Sequence, residues 1–167
     1  NGISWTGRTS GTSSTLNSVA YANDLWVAVG TDGTILTSTN GTSWTRRTSG
    51  TSSLRGVAYA DGLWVAVGGS GTIRTSPDGT SWTTRFSGTS SHLNSVAYAD
   101  GLWVAVGGGG TILTSTNAAT WTPRSSTSFD LNSVAYAYAY ADGLWLWVAV
   151  GAGGTISTTR AIFSLDP

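Results

Sequence analysis

Asp, Arg and a single His are the only residues in this chain that carry or readily take up charge near neutral pH. The sequence has eight Arg and eight Asp but neither Lys, Glu nor Cys. Paired carboxylates are the usual machinery of glycoside hydrolysis, so the aspartates come first. Asp61, Asp100 and Asp142 recur at one phrase, each followed by Gly, and Asp78 sits in another phrase where its counterparts are Asn40 and Asn117. The place of Asp32 is taken by Ser70, Gly109 and Gly153. Acids that recur at turn-type positions, or that alternate with Asn, Ser and Gly, read as turn residues. Asp130 is the exception: it has no acidic counterpart and stands beside Phe129, so it is a candidate ligand contact.

His92 occupies the variable slot held elsewhere by Thr15 and Asp130. One His without Cys, Glu or a second His makes neither a metal centre nor a triad. Ser and Thr abound, but a hydroxyl with no base beside it is not a nucleophile. The run Gly107 to Thr111, GGGGT, lacks the Lys and the following helix of a phosphate loop and reads as a turn. Asn40-Gly41-Thr42 matches a glycosylation sequon that overlaps a turn, and it is set aside. The expectation is a chain with no catalytic residues, no metal and no cofactor.

Formal net charge is zero, so no basic field exists to attract nucleic acid or an anionic membrane. The apolar stretch around Leu144 to Val150 is far short of the roughly 20 residues a membrane helix needs. The sequence opens at Asn1 without a signal-peptide pattern, which reads as a removed leader or a piece of something longer. Aromatic residues are plentiful: nine Trp, six Tyr and three Phe. Such rings suit sugars and peptides, yet most of them fall at repeating positions.

Those repeats determine the architecture. Trp5, Trp44, Trp82 and Trp121 recur at spacings of 39, 38 and 39 residues. Trp26, Trp64 and Trp103 follow at 38 and 39, and Trp145 or Trp147 continues the series. A period near 40 with four short apolar phrases per copy predicts the blades of a β-propeller. Val19 and Tyr21 alternate with Ala20 and Ala22, the period-two pattern of a strand. Asp61-Gly62, Asp100-Gly101 and Asp142-Gly143 predict the turn of the first hairpin, with Asn23-Asp24 in the first copy. Gly33, Gly71, Gly110 and Gly154 stand before Thr-Ile at a second turn. No helical period is found, so the chain is expected to be all-β.

The blades are expected at about 16–48, 54–86, 93–124 and 131–159 of one domain spanning 1–167. The stretch 3–9 has the sequence of a fourth strand and the last copy lacks one, so the two are expected to pair and close a ring of four blades. A homodimer forming one eight-bladed ring is the alternative to a monomer, and a piece of a larger array is a third reading. Arg8, Arg47, Arg85 and Arg124 follow the repeat Trp by three residues. Three steps along a strand reverse the face, so each Arg is expected to reach toward the next blade and stack there.

The segment at 76–82, SPDGTSW, resembles the Asp-box, with one residue fewer between Asp and Gly. STNGTSW at 38–44 and STNAATW at 115–121 are degenerate copies. The wider phrase LNSVAYADGLWVAVGGGGTILTSTN resembles the repeats of Ycf48-like photosystem assembly factors and related bacterial surface propellers. The resemblance spans nearly the whole chain and speaks for the fold. It implies structural roles for Asp78, Asn40 and Asn117, which cap the turn, and for Trp5, Trp44, Trp82 and Trp121, which tuck between strands. Sialidases also carry such boxes, but this chain has no Glu and shows no arginine cluster beside a tyrosine nucleophile. Where the assembly factors use a basic patch, this chain is neutral.

The functional expectation is a non-catalytic binding or scaffold propeller of a bacterial surface or secreted protein, with a protein or glycan as partner. An engineered or amplified repeat scaffold without a ligand is the runner-up, which the narrow amino-acid alphabet favours. A carbohydrate-binding lectin comes third and a glycosidase last. Candidate ligand contacts are the residues that break the repeat: Tyr138, Tyr140 and Trp145 of the expanded segment 134–151, with Phe129 and Asp130. Against the third copy, the first strand there gains four residues and the second gains two, so a bulge or a longer tip is expected to absorb the difference.

Overall fold

The protein is described here by a computed structural model. It covers residues 3–47, 50–124, 128–139 and 144–161, with 138, 139, 144, 145, 160 and 161 placed by backbone alone. The described residues form four antiparallel meanders. The first runs β1 (Leu16–Ala22), β2 (Leu25–Gly30), β3 (Ile35–Ser38) and β4 (Thr45–Arg47). The second is β5 (Leu54–Ala60), β6 (Leu63–Gly68), β7 (Ile73–Ser76) and β8 (Thr83–Arg85). The third is β9 (Leu93–Ala99), β10 (Leu102–Gly107), β11 (Ile112–Ser115) and β12 (Thr122–Arg124). The fourth has three strands: β13 (Leu131–Ala139), β14 (Leu144–Gly151) and β15 (Ile156–Ala161). Sheet order follows chain order within each meander, which is the blade of a propeller.

Local chemistry explains each turn. The first hairpins of blades 2 and 3 turn on Asp61-Gly62 and Asp100-Gly101, all four residues having positive φ, the backbone of a type I′ turn. The VAVG strand ends in Gly because the chain crosses its neighbour there: a Cβ on Gly107 would lie 1.8 Å from the carbonyl oxygen of His92. That crossing coincides with a bulge near the start of every first strand, where the register shifts by one residue.

First strands lie side by side in the order β1, β5, β9, β13 and so line the inner edge of the array. The core sits between blades. Leu54 and Val57 of blade 2 pack with Val27, Val29 and Ile35 of blade 1. Leu93 and Val96 of blade 3 pack with Val65, Val67 and Ile73 of blade 2, and Leu131 and Val134 of blade 4 with Val104 and Val106 of blade 3. Each blade thus has a leading face, rich in Leu, Val, Tyr and Trp, that covers the trailing Val-Val-Ile face of the blade before it. Burial on both faces accounts for the nearly continuous apolar runs in the sequence.

The ends of the array differ from its middle. Residues 3–15 carry no strand, and among the described residues 3–9 do not pair with the last blade, so closure of a four-bladed ring is not shown. Ile3 and Trp5 are 88% and 95% exposed.

Candidate functional site

The meander divides the chemistry between two rims. One rim carries the first-hairpin tips and the turns between third and fourth strands; the other carries the second turns and the loops between blades. Phe129 and Asp130 lie on the loop rim, at the start of β13. Tyr138 and Trp145 face each other in register at its far end, Tyr138 opposite Trp145 and Ala139 opposite Leu144. Eight residue steps separate Asp130 from Tyr138, roughly 26 Å at ~3.3 Å per residue. The candidate ligand contacts are therefore not one constellation. Tyr140 lies outside the described residues, as does Asp142.

The expanded segment takes a definite form. The β13–β14 ladder is regular from Ser133↔Val150 to Ala139↔Leu144, two residue pairs beyond the point where the other first hairpins turn. No bulge along the described ladder from Ser133 to Ala139 absorbs the surplus two residues of the first strand; they lie among 140–143, outside the described residues. Trp147, paired with Tyr136 and 5% exposed, is the repeat Trp; Trp145 is the additional one.

Asp130 is engaged with the previous blade. Its Oδ1 accepts the Gly109 N–H at 2.7 Å, in the second turn of blade 3. His92 does the same one blade earlier, its Nδ1 accepting the Ser70 N–H at 3.1 Å. In blades 3 and 4 the variable slot before the first strand is thus an inter-blade clasp. Phe129, 53% exposed, lies against the second turn of its own blade, where a Cβ on Gly153 would sit 3.4 Å from the ring.

The third turns show why Asp and Asn interchange. Asp78 Oδ1 accepts the N–H groups of Thr80 and Ser81 at 2.8 and 2.9 Å and the Ser76 hydroxyl at 2.9 Å. Its Oδ2 accepts the Thr80 hydroxyl at 2.6 Å. Asn40 Oδ1 accepts from Thr42 and Ser43, and Asn117 Oδ1 from Ala119 and Thr120. Donors converging on the charged form, the Ser81 amide foremost, hold the Asp78 carboxyl well below the usual carboxylate range. An acid so stabilised as its anion is a poor proton donor. Trp82 and Trp121 donate through Nε1 to the carbonyls of Gly79 and Ala118, each at 3.0 Å, which fixes each ring over its turn. Trp44 is half-buried at the equivalent position, whereas Trp5 is exposed.

The arginines differ from expectation. Arg47, Arg85 and Arg124 each donate through Nε to Thr37, Thr75 and Thr114 at 2.9 Å, on the adjacent strand of the same blade. The strand paired beside each Arg places a Thr hydroxyl within hydrogen-bond reach in the same blade. A further set of contacts has no motif in the sequence. Asn17 and Asn94 donate to the Leu54 and Leu131 carbonyls at 2.8 Å, lacing adjacent first strands together. The Tyr59 hydroxyl accepts from Asn23 at 2.6 Å, and the Tyr136 hydroxyl donates to Asp100, again from one blade to the one before. Burial first, then the Asp100 carboxylate, pushes Tyr136 up to about 12.

Most of the aromatic wealth is committed to packing. Tyr59–Trp64, Tyr98–Trp103 and Tyr136–Trp147 each pair across a hairpin with ring centroids 4.8 Å apart. No group of three or more His, Cys, Asp or Glu that could hold a metal ion is found among the described residues. A hollow of about 190 Å³ opens on the outer trailing face of blade 3, lined by Leu102, Thr114, Ser115, Asn117 and Arg124 among others.

The fold is that of known propellers. The chain is similar to the computationally designed Ika4 protein over 93% of this chain and 99% of that one, with 16% identity and a TM-score of 0.73. It is similar to the designed Ika8 protein (15% identity, TM-score 0.69) over 87% of this chain and 46% of that one. YCF48 bound to a D1 peptide matches with 14% identity and a TM-score of 0.63, over 92% and 55% of the two chains. The chain thus spans about half the length of Ika8 and of YCF48. No protein-family description and no curated protein matches the sequence.

Proposed function

We propose that the protein is a non-catalytic propeller that acts as a binding module, with a peptide segment of another protein as its ligand. The observation that carries this reading is the first hairpin of blade 4. In an array whose repeating side chains are spent on turns, clasps and inter-blade packing, that hairpin alone among the described first hairpins runs two residue pairs further. β15 pairs with β14 as far as Trp145↔Ala161, so the extended β13 is an edge strand that offers main-chain donors and acceptors. The added residues include Tyr138 and Trp145, aromatic types enriched in protein-binding surfaces. The solved structure of YCF48 with a D1 peptide supplies a precedent for peptide binding on a propeller of this kind. The turns at Asn40, Asp78 and Asn117 are read as Asp-box-like structural turns, consistent with a stable frame under one variable projection. We place the protein at the cell surface or outside the cell.

The test is excision. Removing 138–141 together with 144–145 restores the first hairpin of blade 3 in sequence, VAYADGLWVAVG. The excised protein should fold as before by circular dichroism and lose binding to peptides selected from a displayed library on the parent protein. Tyr138→Ala and Trp145→Ala should each weaken binding, and Phe129→Ala should not. Undiminished binding after excision refutes the assignment. Glycans bound by the parent where peptides are not would favour a lectin, and a parent that selects neither would favour a scaffold without a ligand.

A further inference from the structure

The array ends in two apolar faces that have no cover. On the leading face of blade 1, Leu16, Val19 and Tyr21 are 41%, 56% and 52% exposed. The corresponding Leu54, Leu93 and Leu131 are 0% exposed, and Val57, Val96 and Val134 are 8%. On the trailing face of blade 4, Val150 and Ile156 are 42% and 69% exposed, while Val29, Val67, Val106, Ile35 and Ile73 are at 0%. These are the two halves of the junction that the chain makes three times internally. We propose that a second copy of this chain fills both, so that two chains close into one ring of eight blades.

Three further observations point to the same occupant. In blades 1 to 3 the fourth strand runs directly into the first strand of the following blade. By connection, the strand-like sequence at 3–9 therefore belongs to the blade that precedes blade 1. Blade 4 has three strands among the described residues, with β15 last in the sheet order, the place beside which such a strand would lie. The hollow on blade 3 is the second observation. On blades 1 and 2 the outer trailing face, Leu25 with Val27 and Leu63 with Val65, is covered by Trp82 and Trp121 from the fourth strand of the next blade. The equivalent surface on blade 3, beside Leu102, is the open hollow. Trp5, 95% exposed, stands where Trp82 and Trp121 stand in the repeat. The partner's strand at β15 would seat its Trp there. The third is Asn132, exposed at the position from which Asn17 and Asn94 bond the next first strand. In the ring it donates to the Leu16 carbonyl of the other copy.

Geometry selects a second copy over self-closure. Three like junctions, each turning the chain by a quarter circle, would already bring blade 4 against blade 1. Both faces remain exposed, so the turn per junction is smaller than a quarter circle. Two four-bladed arcs related by a two-fold axis close with equal junctions and leave no open edge.

The sequence has no Cys, so introduced thiols report without background. Val19→Cys and Val150→Cys, made separately, mixed and oxidised, should give a covalent two-chain product that neither gives alone. With both substitutions in one chain the oxidised product should have the mass of two chains. The pair Val57→Cys with Val29→Cys, which share a cluster within the chain, calibrates disulfide yield. Trp5→Ala should raise the dimer dissociation constant about 30-fold or more, as loss of a buried Trp anchor does. A cross-linked single chain from the double variant, longer polymers, or no product where the calibrating pair reacts would each overturn the proposal.

Discussion

Leu93→Ala tests whether inter-blade packing holds the array together. Leu93 is 0% exposed and lies in the cluster that joins blade 3 to Val65, Val67 and Ile73 of blade 2. Its neighbours there are β-branched side chains and Trp103, on paired strands with little room to collapse, so truncation leaves most of a cavity. Measured losses for such a change run from about 2.7 to 5 kcal/mol, and about 3 kcal/mol is a fair central value here. In a chain of this size that corresponds to a fall in Tm of roughly 6–12 °C. The junction also couples two pairs of blades, and stability in such arrays is a sum of unit and neighbour terms. Weakening the middle junction should therefore broaden or split the transition. Guanidinium and thermal unfolding, followed in parallel by far-UV circular dichroism and Trp fluorescence, read both effects. A shift below about 2 °C with an unchanged single transition would refute the claim that the core lies between blades.

Two other outcomes follow from single positions. Arg74 takes the place of Leu36 and Leu113, each 1% exposed, and its Nε is buried without an acceptor while burial lowers its pKa. Arg74→Leu should raise Tm by about 2–4 °C, equivalent to about 1 kcal/mol; a fall would show that the guanidinium is better matched than the geometry implies. The pH dependence has two edges. Tyr136 is raised to about 12, so its contribution is complete below about pH 10 and is lost as pH rises from 10 toward 12. The Asp78 carboxyl is lowered, so its contribution is present above about pH 4 and is lost as pH falls below that. Tyr136→Phe should reduce the alkaline component, to which Tyr21 also contributes through its bond to Asp24, and Asp78→Asn the acid one, in denaturation midpoints measured across pH. Unchanged profiles would contradict both assignments.

The blades were legible from sequence because their determinants are local. Val19-Ala20-Tyr21-Ala22 alternates, Asp-Gly marks a turn that needs two positive φ values, and Trp marks the period. Self-similarity supplied the count of four. The arginines were misplaced because a face argument places a side chain on one side of a sheet but does not choose between a hydroxyl in its own blade and a ring in the next. The clasp residues escaped for a related reason. His92 and Asp130 share a slot but no chemistry beyond accepting one amide hydrogen, so nothing in their types announces a common role. Open ends are invisible in a repeat: Leu16 and Leu54 are the same letter in the same phrase, yet one is 41% exposed and the other 0%. Only the arrangement of blades separates them. The expanded hairpin was visible as an insertion, but how it divides between strand and tip required the register.

Molar mass in solution tests most directly whether a second copy completes blade 1 and blade 4. Sedimentation equilibrium of the unmodified chain over a wide concentration range should give twice the 17.1 kDa of one chain as the limiting species. Leu16→Ala combined with Val19→Ala should shift it toward the single chain. A mass of one chain at every concentration, with Leu16 and Val19 as protected from solvent as Leu54 and Val57, would contradict it and favour a four-bladed ring closed on itself.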